Sequence, residues 1–327
     1  RIKIMAYSTI PKPSLHFNTV TYSGDGNATQ AITNTFQTDF SWIKDRGVTA
    51  AHTLQDAVRG FDVTKKLSSN SNDAENNASG ATWGNYGGVT AVGATSFTTS
   101  LGSNTPYQTN ANGSNYVSWN WKAGGGQGSS NTDGSTNTTY TSVNTTAGFS
   151  ISSYAGSNSN ATIGHGLGVA PKMIIIKNLS SAKDWVVYHT STGNAKKLEL
   201  NNTDAEANTG NFASTSPTST VFTVAGDYVD VNQSGSNYVA YCFAEKTGYS
   251  KFGSYIGTGS ATNSPFIYTG FKPTFVLIKS VEIYSDFLSN GFKLQNTDTD
   301  TNGTRTYIYM AFGQSLVGSN NIPATAR

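Results

Sequence analysis

The chain has little charge. Asp, Glu, Lys and Arg make up 12% of its 327 residues, and its formal net charge is +2. That charged fraction is about half of the usual one. Electrostatic binding of nucleic acid or of an anionic membrane needs a clustered excess of Lys and Arg. The composition therefore argues against both kinds of partner.

Cysteine is nearly absent as well, since Cys242 is the single one. A lone cysteine cannot form an intrachain disulfide, which excludes a disulfide-stapled secreted scaffold.

No apolar run approaches the roughly 20 residues that span a bilayer, so membrane insertion is not expected. The first residues lack the apolar core of a signal peptide, and we therefore expect synthesis in a cytoplasm and release by lysis.

Aromatic and turn-forming residues are abundant by contrast, with 17 Tyr, 16 Phe and 34 Gly. Such a composition is typical of β-sheet with many turns. Helical periodicity is hard to find, and the best candidate is a single turn at residues 54–59. The sequence therefore predicts an all-β fold.

Three short motifs recur in the same order, which predicts internal repeats. The motifs are an aromatic residue before a glycine turn (Tyr22, Tyr154, Tyr255), a strand ending in Ile-Lys (Lys44, Lys177, Lys279) and an aromatic strand (from Tyr116, Tyr238, Tyr307). The first two motifs are 22, 23 and 24 residues apart, counted from Tyr to Lys. The third repeat is short between its second and third motifs. We expect it to pack on a neighbouring repeat or on another chain.

The repeats divide the chain into six segments. These are an N-terminal arm (1–16), repeat 1 (17–122), a linker rich in Gly, Ser, Thr and Asn (123–148), repeat 2 (149–245), a shortened repeat 3 (246–315) and a C-terminal tail (316–327). Two-layer packing is the stable solution for an all-β module of about a hundred residues. The predicted fold is a series of tandem antiparallel β-sandwiches of jelly-roll or lectin-like topology.

Residues that carry chemistry are scattered. The four histidines lie far apart, and the glycine-rich run around His165 precedes a strand instead of opening a helix, which excludes a dinucleotide-binding loop. No Gly-x-Ser-x-Gly motif occurs, and most of the 19 Asp and Glu residues lie in polar turns. We predict that the chain is not an enzyme and uses no cofactor.

Trp83 and Tyr86 are the candidate binding residues. Both rings lie in a loop of Gly and Asn, without an obvious strand on which to pack. Aromatic faces beside Asn side chains suit the stacking of a sugar or contact with a protein. In the alternative interpretation, which is at least as well supported, the rings fold back onto their own sandwich.

Asp298, Asp300 and Asn302 are the candidate metal ligands. They alternate along a turn that ends at Gly303, as the oxygen ligands do in the first half of a calcium loop. The glutamate that would close such a loop is missing, because Tyr309 stands in its place. A structural Ca²⁺ site and a plain solvated turn both stay open, and the pattern favours the turn.

Several segments resemble a family of repeat-containing virion proteins of marine and cyanobacterial bacteriophages, usually labelled tail-fibre or structural proteins. The segments are residues 5–14, 42–44, 56–60, 116–124, 164–168, 238–245 and 287–293. The resemblance runs over nearly the whole chain. It implies a non-catalytic component of a particle, with no catalytic residues to transfer.

Two classes of function stay open. The first is a bacteriophage virion protein, of the tail-fibre or tail-associated kind, that contacts the host surface; capsid decoration is a variant. Such a protein would bind other virion proteins and host-surface glycans and form a homo-oligomer, for which a homotrimer is favoured. The second class is a lectin-like protein that binds or degrades polysaccharide. Degradation would need two facing carboxylates in a groove lined by aromatic residues.

Overall fold

The computed structural model describes residues 8, 10–77, 82–226, 228–281 and 301–315. Strands make up 41% of it and helix 4%. Each strand-to-strand pairing in these ranges is antiparallel, and two isolated parallel bridges lie outside these pairings. The predicted all-β, sandwich-like fold is thereby confirmed. Across the same ranges, no helix is both long enough and apolar enough to cross a membrane.

The first part of the chain forms two sheets. Its strands are β1 (Phe17–Ser23), β2 (Thr29–Thr33), β3 (Phe40–Asp45), β4 (Thr53–Asp56), β5 (Val89–Gly93), β6 (Ser96–Ser100) and β7 (Asn115–Trp121). The order β1-β7-β3-β4 makes the first sheet, and β2-β6-β5 makes a smaller one. Short 3₁₀ helices occupy Pro13–Leu15, Val63–Lys65 and Trp83–Tyr86.

The best candidate for helix, a single turn at most at residues 54–59, does not form a helix. Most of that segment is strand β4 and a following turn, because Leu54 and Asp56 pair with Trp42 and Phe40 of β3. Pairing with the preceding strand thus overrides the local preference of a short segment.

The middle of the chain also forms two sheets. Its strands are β8 (Tyr140–Asn144), β9 (Phe149–Ala155), β10 (Ala161–Gly164), β11 (Met173–Asn178), β12 (Val186–His189), β13 (Lys196–Glu199), β14 (Ala207–Asn208), β15 (Val221–Val224) and β16 (Asn237–Phe243). The second sheet has the order β14-β13-β12-β11-β16-β9-β8, and β10 pairs with β15. Strand β8 lies within the predicted linker, so the last part of that segment belongs to the second sheet.

The third sheet has three described strands in the order β17-β19-β18. They are β17 (Ser250–Ile256), β18 (Phe271–Ser280) and β19 (Thr306–Ser315). The predicted C-terminal tail (316–327) and the resembling segment 287–293 lie outside the described residues.

Strands that carry the three sequence motifs pair in the same way in each sheet. The strand of the third motif lies between the other two, as β1-β7-β3, β9-β16-β11 and β17-β19-β18. Tyrosines of the first and third motifs stack in each sheet, with ring centroids 5.1 Å, 5.2 Å and 5.0 Å apart (Tyr22 on Tyr116, Tyr154 on Tyr238, Tyr255 on Tyr307). The boundaries drawn between the repeats stay a prediction.

One apolar core is shared by all three sheets. Its centre is formed by Trp121, Phe243 and Phe312, which follow the third-motif tyrosines at the same spacing. Their ring centroids lie 6.4 Å, 5.8 Å and 5.9 Å apart. Since alternate residues of a strand face opposite sides, the tyrosines point outward into separate smaller cores. The third sheet therefore packs on the first and second sheets of its own chain.

Candidate functional site

Trp83, one of the two candidate binding residues, is buried. Its side chain is 7% exposed, and that of Tyr86 is half-buried. The two ring centroids lie 6.2 Å apart within the 3₁₀ helix Trp83–Tyr86. This geometry favours the interpretation in which the Trp83 ring folds back onto its own module. A ligand-binding role for the pair stays a prediction.

Lys66 explains why this loop folds inward. It is fully buried, and its Nζ lies 5.8 Å from the centroid of the Trp83 ring. The Nζ donates to Gly87 O at 2.8 Å, to Trp83 O at 3.4 Å and to Gln108 Oε1. Burial lowers the pKa of this amine well below its usual value. The three acceptors surround the Lys66 amine, so its hydrogen bonds hold the loop in place from the protein interior.

The candidate metal ligands are placed only in part, because Asp298 and Asp300 lie outside the described residues. Asn302 is buried; its Oδ1 accepts from Thr258 N and its Nδ2 donates to Ser260 O, both at 3.0 Å. Among the described residues, no group of three or more His, Cys, Asp or Glu could hold a metal ion. The calcium site stays a prediction.

Asn302 has two counterparts that sequence reasoning missed. Asn110 Oδ1 accepts from Asp25 N at 3.1 Å, and Asn232 Oδ1 accepts from Ser157 N at 2.9 Å. Each amide also donates to the carbonyl two residues further on. In all three sheets a buried Asn therefore bridges the turn that follows the first-motif strand. The sequence does contain a signal for these residues, since each Asn lies just before the third motif.

The half-buried His52 and the buried His189 and Cys242 contribute to the packing. Burial lowers the pKa of His52 and His189 to about 4 and raises that of the Cys242 thiol. His52 Nδ1 accepts from Trp42 Nε1 at 2.7 Å. His189 Nδ1 accepts from Ser191 N, and its Nε2 lies 3.3 Å from Tyr309 O of the third sheet. These side chains connect elements of the fold.

A groove of about 340 Å³ lies between the first and second sheets. We call it the junction groove and define it by Arg59, Lys65, Glu75, Tyr140, Ser153 and Asn237. The first three follow strand β4, and the last three belong to β8, β9 and β16. Sequence reasoning missed the groove, since its two walls lie far apart in the chain.

Its charged wall is an ion-pair network. Arg59 Nε lies 2.6 Å from Asp56 Oδ2, and its Nη1 lies 2.9 Å from Glu75 Oε1. Lys65 Nζ lies 3.3 Å from Glu75 Oε2. Burial alone would lower the pKa of Arg59, but Asp56, Tyr241 and Glu75 raise it above its usual value. The guanidinium therefore stays charged, and its position is defined by partners on both sides.

The opposite wall is uncharged. Tyr140 is 37% exposed at the start of β8, directly opposite Ser153 of β9. Asn237 is exposed, and its backbone N–H donates to Ser180 Oγ at 2.9 Å. Gln127 closes one side, where its Nε2 donates to Val58 O at 3.0 Å. The groove thus offers an aromatic ring, hydroxyl groups and amides next to a carboxylate that is already paired.

A family model described as a domain of unknown function (DUF7483) matches residues 12–285. The chain belongs to the DUF7483 family. No curated protein matches the chain, and no solved structure matches it. The DUF7483 match includes Trp83, Tyr86 and the whole junction groove. It ends before the candidate metal ligands and before strand β19.

Proposed function

We propose that this DUF7483 protein is a non-catalytic structural protein of a bacteriophage virion, of the tail-fibre or tail-associated kind, that contacts the host surface. The observation that carries the proposal is the resemblance of seven segments to phage virion proteins, together with a fold in which three sheets share one aromatic core. Such a core suits a rigid particle component, because interlocked aromatic rings resist deformation.

The use of the reactive side chains supports a structural role. Lys66, Lys177 and Lys279 are buried and donate to backbone carbonyls. His189 and Cys242 are buried in the same way. Each of these groups helps to hold elements of the fold together, through hydrogen bonds or through packing.

Labelling of particles tests the assignment. Antibody against the purified chain, coupled to gold, would be applied to virions of the phage that encodes it. We expect gold at the tail fibres or tail tip. Gold over the capsid would support the decoration variant instead, and virions free of both the label and the chain's peptides would contradict a virion role.

The homotrimer belongs to the same proposal, along with contacts to other virion proteins. Since the inner face of the third sheet is covered within one chain, contacts between chains would have to use outer surfaces and strand edges. Light scattering in solution tests this: a particle of three 34.6 kDa chains is expected. A monomer would contradict self-assembly and favour a decoration protein covered by a different virion protein.

A lectin-like function is the second candidate, and the junction groove favours its binding form. Asp56 and Glu75 both pair with Arg59. Such a shared guanidinium suits the positioning of a ligand better than proton transfer to a glycosidic oxygen. Incubation with labelled polysaccharide should therefore leave its chain length unchanged.

A further inference from the structure

The junction groove has the properties of a built binding site. Its volume of about 340 Å³ lies at the lower end of the range of small-molecule pockets, about 300–1,000 Å³. Backbone hydrogen bonds hold both walls: Glu75 N donates to Leu179 O at 3.0 Å, and Thr139 N donates to Ser153 O at 2.7 Å. The two walls therefore keep their spacing without a ligand.

The charges of the ion-pair network in the groove wall cancel. Asp56 and Glu75 carry two negative charges, and Arg59 and Lys65 carry two positive charges within the same network. An anionic ligand would gain no net attraction there and would compete with Glu75 for the two cations. The groove therefore favours an uncharged ligand.

The lining also provides several hydrogen-bonding partners for a ligand. Val58 and Leu179 are its aliphatic residues, and most of the others are polar or aromatic. Each oxygen of the Glu75 carboxylate accepts from one cation and has a further lone pair for a hydroxyl group. The Asn237 side chain adds an amide donor and an acceptor at the rim.

Tyr140 supplies an exposed aromatic ring in the groove. An exposed tyrosine ring beside polar groups matches a sugar, which presents C–H groups on one face and hydroxyl groups around its edge. We infer that the junction groove binds a neutral oligosaccharide, with one sugar ring on Tyr140 and its hydroxyl groups bonded to Glu75 and Asn237. This inference rests on the proposed host contact for its biological meaning, and it moves the glycan site away from Trp83 and Tyr86.

Titration calorimetry of the full chain tests the inference. The probes are maltotriose, cellotriose and triacetylchitotriose, with trigalacturonate as an acidic trisaccharide of the same length, each up to about 10 mM. We expect at least one neutral trisaccharide to bind more tightly than trigalacturonate. Binding of none of the three, or a preference for trigalacturonate, would overturn the inference.

Variants locate the binding. Tyr140→Thr keeps a β-forming residue in β8 and should weaken binding about tenfold. Asn237→Ala should weaken it about three- to tenfold. Phe266→Thr, which removes an exposed ring of the third sheet's region, is the matched control and should bind like the original chain. Equal binding by Tyr140→Thr and the original chain would place any glycan site elsewhere and overturn the inference.

Two controls separate the possible failures. Thermal unfolding of each variant shows whether lost binding reflects lost folding, and the two groove variants are independent of each other. Particle labelling is independent of glycan titration. A chain found in virions that binds no trisaccharide contradicts the groove inference alone, and a chain that binds but is absent from virions contradicts the virion role alone.

Discussion

The second sheet has two junctions, and different forces hold them. At the first junction, with the first sheet, the buried Arg59 pairs with Asp56, and Asp56 also accepts from the Tyr241 hydroxyl of the second sheet at 2.6 Å. At the second junction, with the third sheet, Met173, Leu277 and Met310 line a cavity of about 20 Å³. The first junction therefore adds a buried ion pair, bonded to a tyrosine of the second sheet, to the shared aromatic core, whereas the lining of this cavity at the second junction is largely apolar.

The difference between the two junctions indicates which contacts depend on particular partners and which tolerate exchange. A buried ion costs several kcal/mol to desolvate unless its partners are in place, and at the first junction the Tyr241 hydroxyl of the second sheet is one partner of Asp56. Apolar side chains pack without such a requirement, and volume-conserving exchanges among them are tolerated. The groove lies at the first junction because polar walls leave space that apolar walls would close.

Removal of Asp56 should give the largest effect. Asp56→Ala leaves Arg59 buried without its closest partner, and we expect a loss of about 3–5 kcal/mol in the free energy of unfolding. Denaturant unfolding measures it. Lys251→Ala is the control, because it removes the more exposed pair with Glu245 and should cost less than about 1 kcal/mol. Equal effects of the two variants would contradict a stabilising role of the buried Arg59–Asp56 pair.

Acid should weaken the second junction through His189. Burial lowers its pKa from 6.5 to about 4, so the folded state prefers the neutral ring. Its contribution is complete above pH 6.5 and is lost as the pH falls from 6.5 towards 4, by about 3 kcal/mol. His189→Gln keeps a donor for Tyr309 O without this titration, so its stability should depend less on pH.

The comparison of His189→Gln with the original chain is made at each pH. Other groups then cancel, including His52 and also Asp39, whose pKa burial raises to about 6 and which titrates with the opposite sign. His52→Gln serves as the control in the first sheet. If His189→Gln and the original chain lost stability in parallel between pH 6.5 and 4, the role of His189 would be wrong.

Trp185→Phe should have a smaller effect, again at the first junction. The Trp185 Nε1 donates to Ser68 O at 3.0 Å and to Ser71 O at 3.1 Å, both in the loop that follows β4. Phenylalanine keeps most of the packing and leaves two carbonyls without this donor, which should cost about 1–3 kcal/mol. Hydrogen exchange should rise in residues 68–76; unchanged exchange there would contradict the assignment.

Much of the local structure was predictable. The aromatic strand from Tyr238 is β16, and the apolar run from Met173 is β11. Both predictions rest on β-branched and aromatic residues between turn clusters, a signal that lies within a few residues of chain. Strand β8 was missed because Tyr140–Asn144 lies in a segment whose composition is that of a linker.

The candidate site was much less predictable. Arg59 and Tyr140 line one groove from positions about eighty residues apart, and no periodicity relates them. One signal was present in the composition. In a chain with 12% charged residues, charges beside a strand and outside the polar turns, such as Asp56 and Arg59, indicate buried partners.

The sequence by itself determined the all-β class, the three recurring motifs and the strands that carry them. Each of these depends on residues near one another in the chain, through turn chemistry and strand preference. Only the tertiary structure decided that the three sheets share one core, that Trp83 turns inward and that a polar groove separates two sheets. These features depend on contacts between distant residues, and many arrangements of the same strands satisfy the same local preferences.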